Sequence, residues 1–407
     1  MLRTHFVLFF LLLLVACTPQ DGQQISPFED YRPGMDYATL NTQSMGVEGM
    51  DNQGLQNNQI PQQRPMAVGK VAILLPLSGQ NADVGQAMLN AAQMALFDVN
   101  DSGFELLPFD TGGTRSGTTR AVNEAAGEGV RLILGPLVAD NVQSAGVAAR
   151  RHNLQVIGFT TDSTKVGGNI ITLGILPNDQ GKRIAQYAAN TNLNRIAIIT
   201  TNDSYARAVI SAFETEAAPQ NIIIVEKQAL RSAADASRIA QMLKAQEGSF
   251  DAIFMPIGNP HLANMARSLA ENQLGTNVKP WLGAGLWEDS AIQSNPLMRN
   301  AVYAAPSPQQ RTNFERQYRS VYGENPHRLA SLAYDATALS IMMLRQNKGT
   351  ITRASLMNPN GFSGIDGIFR FQQSGLPERG LAIHKITAAN RTTIVENAPS
   401  SFVTAGR

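Results

Sequence analysis

The chain has 407 residues, 43% of them hydrophobic, and its 33 Lys and Arg nearly balance its 32 Asp and Glu. This balance is typical of globular proteins and excludes the strongly basic surface that attracts nucleic acid. A single Cys excludes an intramolecular disulfide, and five His leave few candidates for a His-dependent catalytic or metal site.

Residues 1–16, MLRTHFVLFFLLLLVA, place the basic residue Arg3 before an apolar run that extends from Phe6 to Ala16. About eleven apolar residues cover roughly half of the hydrocarbon core of a bilayer, so the run predicts an export signal rather than a membrane span. The segment LVAC that ends at Cys17 resembles the lipobox of bacterial lipoproteins. The resemblance implies removal of residues 1–16, a diacylglycerol on the Cys17 thiol and acylation of the new amino terminus. The alternative is a plain secretory signal with an incidental Cys.

The same resemblance bears on the membrane that holds the anchor. Two or three acyl chains hold a protein stably at a membrane, whereas one does not. In enteric bacteria an Asp after the lipidated Cys resembles an inner-membrane retention signal, but here Thr18 follows Cys17. The resemblance therefore implies an outer-membrane anchor that faces the periplasm. No later stretch of the sequence is long and apolar enough to cross a membrane.

Residues 17–67 are rich in Gln, Asn, Gly and Pro and show no apolar periodicity. Such a segment buries too little apolar surface to offset the entropy lost on ordering, so it predicts a disordered tether. Some fifty residues reach about 170 Å when fully extended, which would let a folded body act far from its membrane. The alternative is that part of this segment, Phe28 to Tyr37, packs on the body.

Beyond the tether, apolar strands alternate with amphipathic helices in two consecutive series. The first series has the strands KVAILLP, FELLPFD, RLILGP and LQVIGF, and the second has RIAIIT, NIIIVE, DAIFMP and PWLGAG. Continuous apolar strands joined by helices predict parallel sheets with right-handed crossovers. Because one core rarely absorbs more than about 300 residues, the two series predict two lobes.

The expected organisation follows from these patterns. Residues 1–16 form the signal, 17–67 the tether, 68–397 the two-lobed body and 398–407 a tail. The first lobe is expected to take residues 68–175 and 305–350, and the second to take 176–304 and 351–397.

Five segments resemble, in this order, the class I periplasmic-binding-protein fold and especially its leucine-binding branch. They are PLSGQNADVGQAMLNAAQMAL, DTGG, ILGPL, NDSYARAV and GFSGIDGIFRF. The resemblance covers roughly residues 68–397. It implies an α/β fold with two lobes, each a parallel sheet flanked by helices.

The lipobox, together with PLSG, VGQAMLNAAQMALFD, DTGGT and RLILGPL, resembles the penicillin-binding protein activator lipoproteins. Members of that family resemble binding proteins but act at the outer membrane as activators of a peptidoglycan synthase. Larger members carry a helical-repeat domain where this sequence has its tether. The resemblance implies a non-catalytic lipoprotein whose partner is an envelope protein, a bifunctional penicillin-binding protein.

Open α/β sheets bind ligands at the carboxyl ends of their strands. The residues expected to line a cleft there are Ser78, Gly79, Thr111, Gly135, Pro136, Leu137, Thr160, Thr161, Asn202, Tyr205, Asn259 and Trp287. An amino-acid receptor needs hydroxyl groups for the carboxylate and an acid for the ammonium group. The resemblance places VADN at the hydroxyl-rich position and PIGNP, which has no acid, at the acidic one. We therefore expect binding of free amino acids to be weak or absent, and the sequence leaves open whether another small molecule binds.

No motif for catalysis or for a resident cofactor stands out. The sequence contains no H-E-x-x-H, Cys/His cluster or G-x-S-x-G, and DTGGTRSGTTR lacks the spacing of a phosphate-binding P-loop. The sequence therefore predicts no catalytic residue, no metal and no cofactor, with the paired carboxylates of a glycan hydrolase kept as a minor alternative. The main alternative function is a lipid-anchored substrate-binding protein of an ABC importer for amino acids or related small molecules. A binding module for cell-wall fragments is a third.

Overall fold

The computed structural model of the protein describes residues 69–99 and 103–402. The expected signal, Cys17, the tether and half of the expected tail lie outside the described residues. Within the described ranges, no helix is both long and apolar enough to cross a membrane.

The first lobe is built around a five-stranded parallel sheet with the strand order β2-β1-β3-β4-β5. Its strands are β1 (Gly69–Leu75), β2 (Phe104–Asp110), β3 (Leu132–Leu134), β4 (Gln155–Gly158) and β5 (Ile170–Thr172). Helices α1 (Ala82–Val99), α2 (Arg115–Gly127) and α3 (Ala139–Arg150) connect them. Because successive side chains of a strand point to opposite faces, Ile73 and Leu75 enter one core cluster and Ala72 and Leu74 the other. The sheet is therefore buried on both faces.

The second lobe repeats this arrangement. After α4 (Pro177–Asn190), its strands are β6 (Arg195–Thr200), β7 (Ile223–Ala229), β8 (Ala252–Phe254), β9 (Trp281–Gly283) and β10 (Val302–Ala305). The helices between them are α5 (Ser204–Ala217), α6 (Ala233–Ala245), α7 (His261–Glu271) and α8 (Ser290–Gln293). All five strands pair in parallel, in the order β10-β9-β8-β6-β7.

The chain then returns to the first lobe. Helices α9 (Pro308–Tyr322), α10 (Ala330–Gln346) and α11 (Arg353–Leu356) precede a small antiparallel sheet of β11 (Phe362–Gly364), β12 (Gly367–Phe371) and β13 (Pro377–Arg379). The rings of Phe362, Phe369 and Phe371 lie in the same core cluster as Ile73. Residues 351–371, expected in the second lobe, therefore pack with the first lobe instead.

The last two strands complete the second lobe. Strands β14 (Ala382–Ala388) and β15 (Arg391–Glu396) add an antiparallel pair beside β10, which extends that sheet to seven strands. The expected α/β fold of two lobes, with parallel sheets flanked by helices, is confirmed. The antiparallel edge is an addition that the alternating pattern did not predict.

Three short crossovers join the lobes, at residues 173–176, 306–307 and 380–381. The first leaves the carboxyl end of β5 and enters the amino end of α4, while the second leaves the carboxyl end of β10 and enters the amino end of α9. The carboxyl edges of the two sheets are therefore neighbours. Loops at these edges form the candidate site.

Helices α4 and α5 pack closely because of one glycine. A Cβ atom added at Gly181 would lie 2.0 Å from the carbonyl oxygen of Val209 and 3.0 Å from the backbone nitrogen of Phe213. Backbone atoms cannot move aside as a flexible side chain can. Only glycine therefore permits this contact between the two helices.

We expect Gly181→Ala to lower the unfolding free energy by about 1–3 kcal/mol through overpacking. The matched control is Gly127→Ala, since Gly127 is also helical but a Cβ atom there would meet nothing within 4 Å. Helix propensity predicts that this control is neutral or stabilising by up to about 1 kcal/mol. Urea denaturation of both variants measures the difference, and equal effects would contradict the close α4–α5 contact.

Candidate functional site: the interlobe cleft

On the first lobe, Asp110 organises the loops at the cleft edge. Its carboxylate accepts hydrogen bonds from the backbone N–H groups of Leu77 (2.9 Å), Ser78 (3.2 Å) and Gly112 (2.8 Å), and from the Ser78 hydroxyl (2.6 Å). Partial burial disfavours the charged form, but the hydrogen bonds outweigh it and lower the pKa of Asp110. The hydroxyl of Ser78, an expected ligand contact, is thus bonded to the protein itself.

The expected cleft residues differ in exposure. Five are exposed: Ser78, Gly79, Thr161, Asn202 and Asn259. Leu137 and Tyr205 are partly buried, and the rest are buried: Thr111, Gly135, Pro136, Thr160 and Trp287. The exposed set therefore comes from both lobes.

Each of the three buried or partly buried hydroxyl groups has an internal partner, and Thr111 Oγ1 accepts a hydrogen bond from the backbone N–H of Gly113 at 3.3 Å. The Thr160 Oγ1 atom accepts a hydrogen bond from the backbone N–H of Asp162 at 3.0 Å. On the second lobe, the Tyr205 hydroxyl donates to Gln180 Oε1 at 2.5 Å, and the same oxygen accepts from the backbone N–H of Gly285 at 2.8 Å. Burial raises the pKa of the Tyr205 phenol, so it stays a neutral donor. This bond links α5, α4 and the loop after β9.

The ring of Trp287 is fully enclosed. Its Nε1 atom donates to the carbonyl oxygen of Ile257 at 3.0 Å, and the ring lies directly against Gly283. Trp281 is buried in the same way and donates to the Leu274 carbonyl oxygen at 2.9 Å. Trp287 therefore supports the cleft loop from behind and offers no ring face to a ligand.

An ion pair between the lobes is the main feature that sequence reasoning missed. Glu288, in the turn after β9, lies 3.5 Å from the guanidinium of Arg328, which precedes α10. Helix α10 packs in the core of the first lobe, whereas β9 belongs to the second, so the pair spans the two lobes. The second lobe does present an acid near the cleft, but in the loop after PWLGAG and not in PIGNP. Glu288 directly follows Trp287, which was itself expected at the cleft, and this position is the sequence signal that could have identified it.

Arg328 also contacts a cluster of buried charged residues around Asp366. Asp366, in the β11–β12 turn, is fully buried and contacts Arg328 at 3.5 Å, Arg311 of α9, and the Ser331 hydroxyl at 2.7 Å. Burial, reinforced by the nearby Arg328, lowers the pKa of Arg311 to about 10, so it remains charged at neutral pH. This cluster fixes the amino ends of α9 and α10 beside the second crossover.

A second cluster of buried charged residues lies beside the first and third crossovers. The backbone N–H of Arg379 donates to Asp179 Oδ2 at 3.2 Å, and its Nη2 atom donates to the carbonyl oxygen of Leu173 at 3.0 Å. Asp335 of α10 accepts from the backbone N–H of Ile365 at 2.8 Å and interacts electrostatically with Arg379. Burial is the main cause that raises the pKa of Asp179 to about 7 and that of Asp335 to about 6.

Two further observations concern metal binding and His384. In the described ranges, no group of three or more His, Cys, Asp and Glu residues could hold a metal ion. His384 is buried, stacks on Tyr303 and bonds through Nε2 to the Pro306 carbonyl oxygen at 3.0 Å. Burial lowers its pKa, which keeps the ring neutral. Its surroundings are those of a core residue at a crossover.

The opposite pKa shifts of Asp179 and Asp110 predict opposite pH dependences. A carboxyl group with a raised folded pKa binds more protons in the folded state, so its contribution to stability declines as the pH rises from about 4 through about 7. We therefore expect Asp179→Asn to become more stable relative to the wild type as the pH rises from 4 to 8, as measured by urea denaturation.

The matched variant is Asp110→Asn. A lowered folded pKa contributes stability that is present above about pH 4 and is lost as the pH falls through the folded value. The deficit of Asp110→Asn should therefore shrink as the pH falls below 4. A pH-independent difference for Asp179→Asn would show that Asp179 is not held in the neutral form.

Comparison with known proteins gives a sequence relative that binds branched amino acids. The chain is 26% identical over 229 residues to the Leu/Ile/Val-binding protein BraC3 of Rhizobium johnstonii. The alignment covers 53% of this chain and 61% of that relative, so it spans less than two thirds of the relative's length.

Solved structures with the same fold include both transport and regulatory proteins. The carboxyl-terminal domain of LpoA from Haemophilus influenzae, a regulator of PBP1A, is 17% identical with a TM-score of 0.63, covering 80% of this chain and 99% of that one. Full-length LpoA from the same organism is 18% identical with a TM-score of 0.64, and the match covers 83% of this chain and 60% of that one. An ABC transporter substrate-binding protein from Desulfitobacterium hafniense, in complex with Leu, is 17% identical with a TM-score of 0.59. The match covers 80% of this chain and 99% of that one.

At the level of the family, the sequence and the fold agree. The profile of the periplasmic binding protein family matches residues 69–390, a range that includes all the parallel strands of both sheets and the three crossovers. The chain belongs to the periplasmic binding protein family.

Proposed function

We propose that this protein is a non-catalytic lipoprotein of the outer membrane that binds a bifunctional peptidoglycan synthase and favours its active state. The observation that carries the proposal is that Asp110, Ser78 and Tyr205 at the cleft edges are bonded to the protein itself. A transport receptor needs such groups free for its ligand. We infer that the two lobes serve here as a scaffold whose outer surfaces bind a protein.

The internal bonds weigh against a small polar ligand. Asp110 already accepts four hydrogen bonds, and Tyr205 is tied to Gln180. A ligand that displaced either partner would give up about 0.5–1.5 kcal/mol for each bond and would leave the displaced group to be satisfied elsewhere. Binding of a zwitterionic amino acid at these loops would therefore be weak.

The ion pair between the lobes supports the same proposal. In an amino-acid receptor, an acid in the position of Glu288 would bind the ammonium group of the ligand. Here Glu288 already pairs with Arg328. A ligand would have to replace this partner, so the pair competes with an amino acid for the same carboxylate. The pair also links the two lobes directly.

The anchor and tether expected from the sequence fit an action across the periplasm. A body tethered by some fifty residues has a high effective concentration near targets within its reach, so a modest contact area suffices for binding. The similarity to LpoA of Haemophilus influenzae, a regulator of PBP1A, supports a synthase as the partner.

A second candidate function is the substrate-binding protein of an ABC importer. The similarity to a Leu/Ile/Val-binding protein favours it, as do three exposed polar residues at the cleft edges: Thr161, Asn202 and Asn259. In the described part of the chain, the side chains of these three residues have no hydrogen-bond partner. Importers lie in the inner membrane, so fractionation of the native lipoprotein separates this candidate from an outer-membrane regulator.

The decisive experiment compares the two kinds of binding with the mature lipoprotein in detergent. We expect isothermal titration with leucine, isoleucine, valine and alanine to give no binding heat. We expect surface plasmon resonance to show binding of the organism's bifunctional synthase, and a glycan-polymerisation assay to show a faster rate. A micromolar dissociation constant for any of the amino acids, with no effect on the synthase, would establish the importer instead.

Two cleft variants sharpen the comparison. We expect Asn202→Ala and Asn259→Ala to leave binding and activation of the synthase unchanged, because both side chains face the cleft edge and have no structural bond. In a transport receptor the same changes would weaken ligand binding. Incubation with purified sacculi tests the non-catalytic part, since release of soluble fragments would show an enzyme.

A further inference from the structure

A groove on the outside of the first lobe is separate from the cleft. It encloses about 410 Å³ between α2, α3 and the turn that contains Lys165. None of the residues expected to line the cleft lies in its wall. A partner bound in this groove would leave the cleft and its ion pair undisturbed.

One face of α3 forms the floor of the groove. Asp140, Ser144, Val147 and Arg151 contribute to its wall at spacings of four, three and four residues, which places them along a single helix face. Eleven residues at 1.5 Å each separate the first from the last by about 16 Å. The groove is therefore elongated along the helix axis.

Positive charge lies at both ends of the groove. At one end the Asp140 carboxylate pairs with Arg115 and lies 3.6 Å from Lys165, and its pKa is lowered by its hydrogen bond to Arg115 and by both cations. At the other end Arg151 is exposed, and among residues 69–99 and 103–402 it has no side-chain partner. Three cations therefore face one carboxylate, which leaves a net charge of two positive units on the wall.

An apolar side chain lies between the charged ends. Val147 is 52% exposed, although it occupies the middle of a concave surface. A single exposed Val on a convex surface is ordinary, but one in a groove flanked by cations offers a contact for an apolar side chain.

We propose that this groove binds an acidic, extended segment of the synthase, with one apolar side chain against Val147 and carboxylates at the two ends. This inference rests on the proposed function for the identity of the partner. A span of about 16 Å corresponds to about five residues of extended chain, whereas one small anion reaches only one end. Guanidinium groups such as that of Arg151 bind carboxylates through paired hydrogen bonds, which favours an acidic peptide.

Site-specific photocrosslinking tests the position of the contact. The mature lipoprotein carries p-benzoylphenylalanine in place of Val147, and the control carries it in place of Val278, which is 51% exposed in the second lobe. With the purified synthase we expect a crosslink from position 147 alone. Mass spectrometry should place it in a synthase segment with at least two Asp or Glu within about five residues.

Charge reversal tests the contribution of Arg151. We expect Arg151→Glu to weaken synthase binding about tenfold and to reduce its dependence on salt concentration. The control is Arg267→Glu, which makes the same charge change at an exposed position of α7 in the second lobe. It should leave the affinity unchanged.

The outcomes separate the two proposals. In one outcome the synthase binds and is activated, but Arg151→Glu binds it as tightly as Arg267→Glu does, and position 147 crosslinks no more than position 278. In that case the groove is not the contact, and the proposed function stands. A crosslink from Val147 to a segment without acidic residues also overturns the groove's specificity. If the synthase neither binds nor responds, both proposals are wrong.

Discussion

The buried guanidinium of Arg379 is the charge around which the region between the lobes is arranged. Arg379 is only 4% exposed; its backbone N–H donates to Asp179 at the start of α4, and its guanidinium donates through Nη2 to the carbonyl oxygen of Leu173 in the first crossover. An isolated charge at such a site would cost several kcal/mol, and electrostatic attraction by Asp335 and Asp179 offsets part of that cost. The same burial disfavours ionisation of those acids and accounts for their raised pKa values.

At the cleft edges, three polar or charged side chains bond within the protein. Asp110 holds the first-lobe loops, Tyr205 holds the second-lobe loop after β9, and Glu288 pairs with Arg328 across the gap. Each of these groups stabilises the arrangement of the loops themselves. In the proposed function a protein partner binds outside the cleft, and the proposed contact there is the cationic groove beside α3.

Much of the fold was predictable because its signals are local. The apolar runs KVAILLP and RIAIIT correspond to the buried strands β1 and β6, and FELLPFD corresponds to the more exposed edge strand β2. Strand β15, RTTIVE, was not predicted because its residues are polar and it is ordered by pairing with β14. The pair formed by Glu288 and Arg328 joins residues that are 40 positions apart in the chain. Neither its existence nor the packing of residues 351–371 on the first lobe has a local signature.

The direction of β1 determines where the preceding segment joins the first lobe. Gly69 begins this strand at the edge of the sheet opposite the carboxyl ends, and residues 77–79 follow it at the cleft. The segment that precedes Gly69 therefore joins the first lobe at the pole farthest from the cleft. The point of attachment therefore lies away from both the open rim of the cleft and the amino-terminal end of the α3 groove.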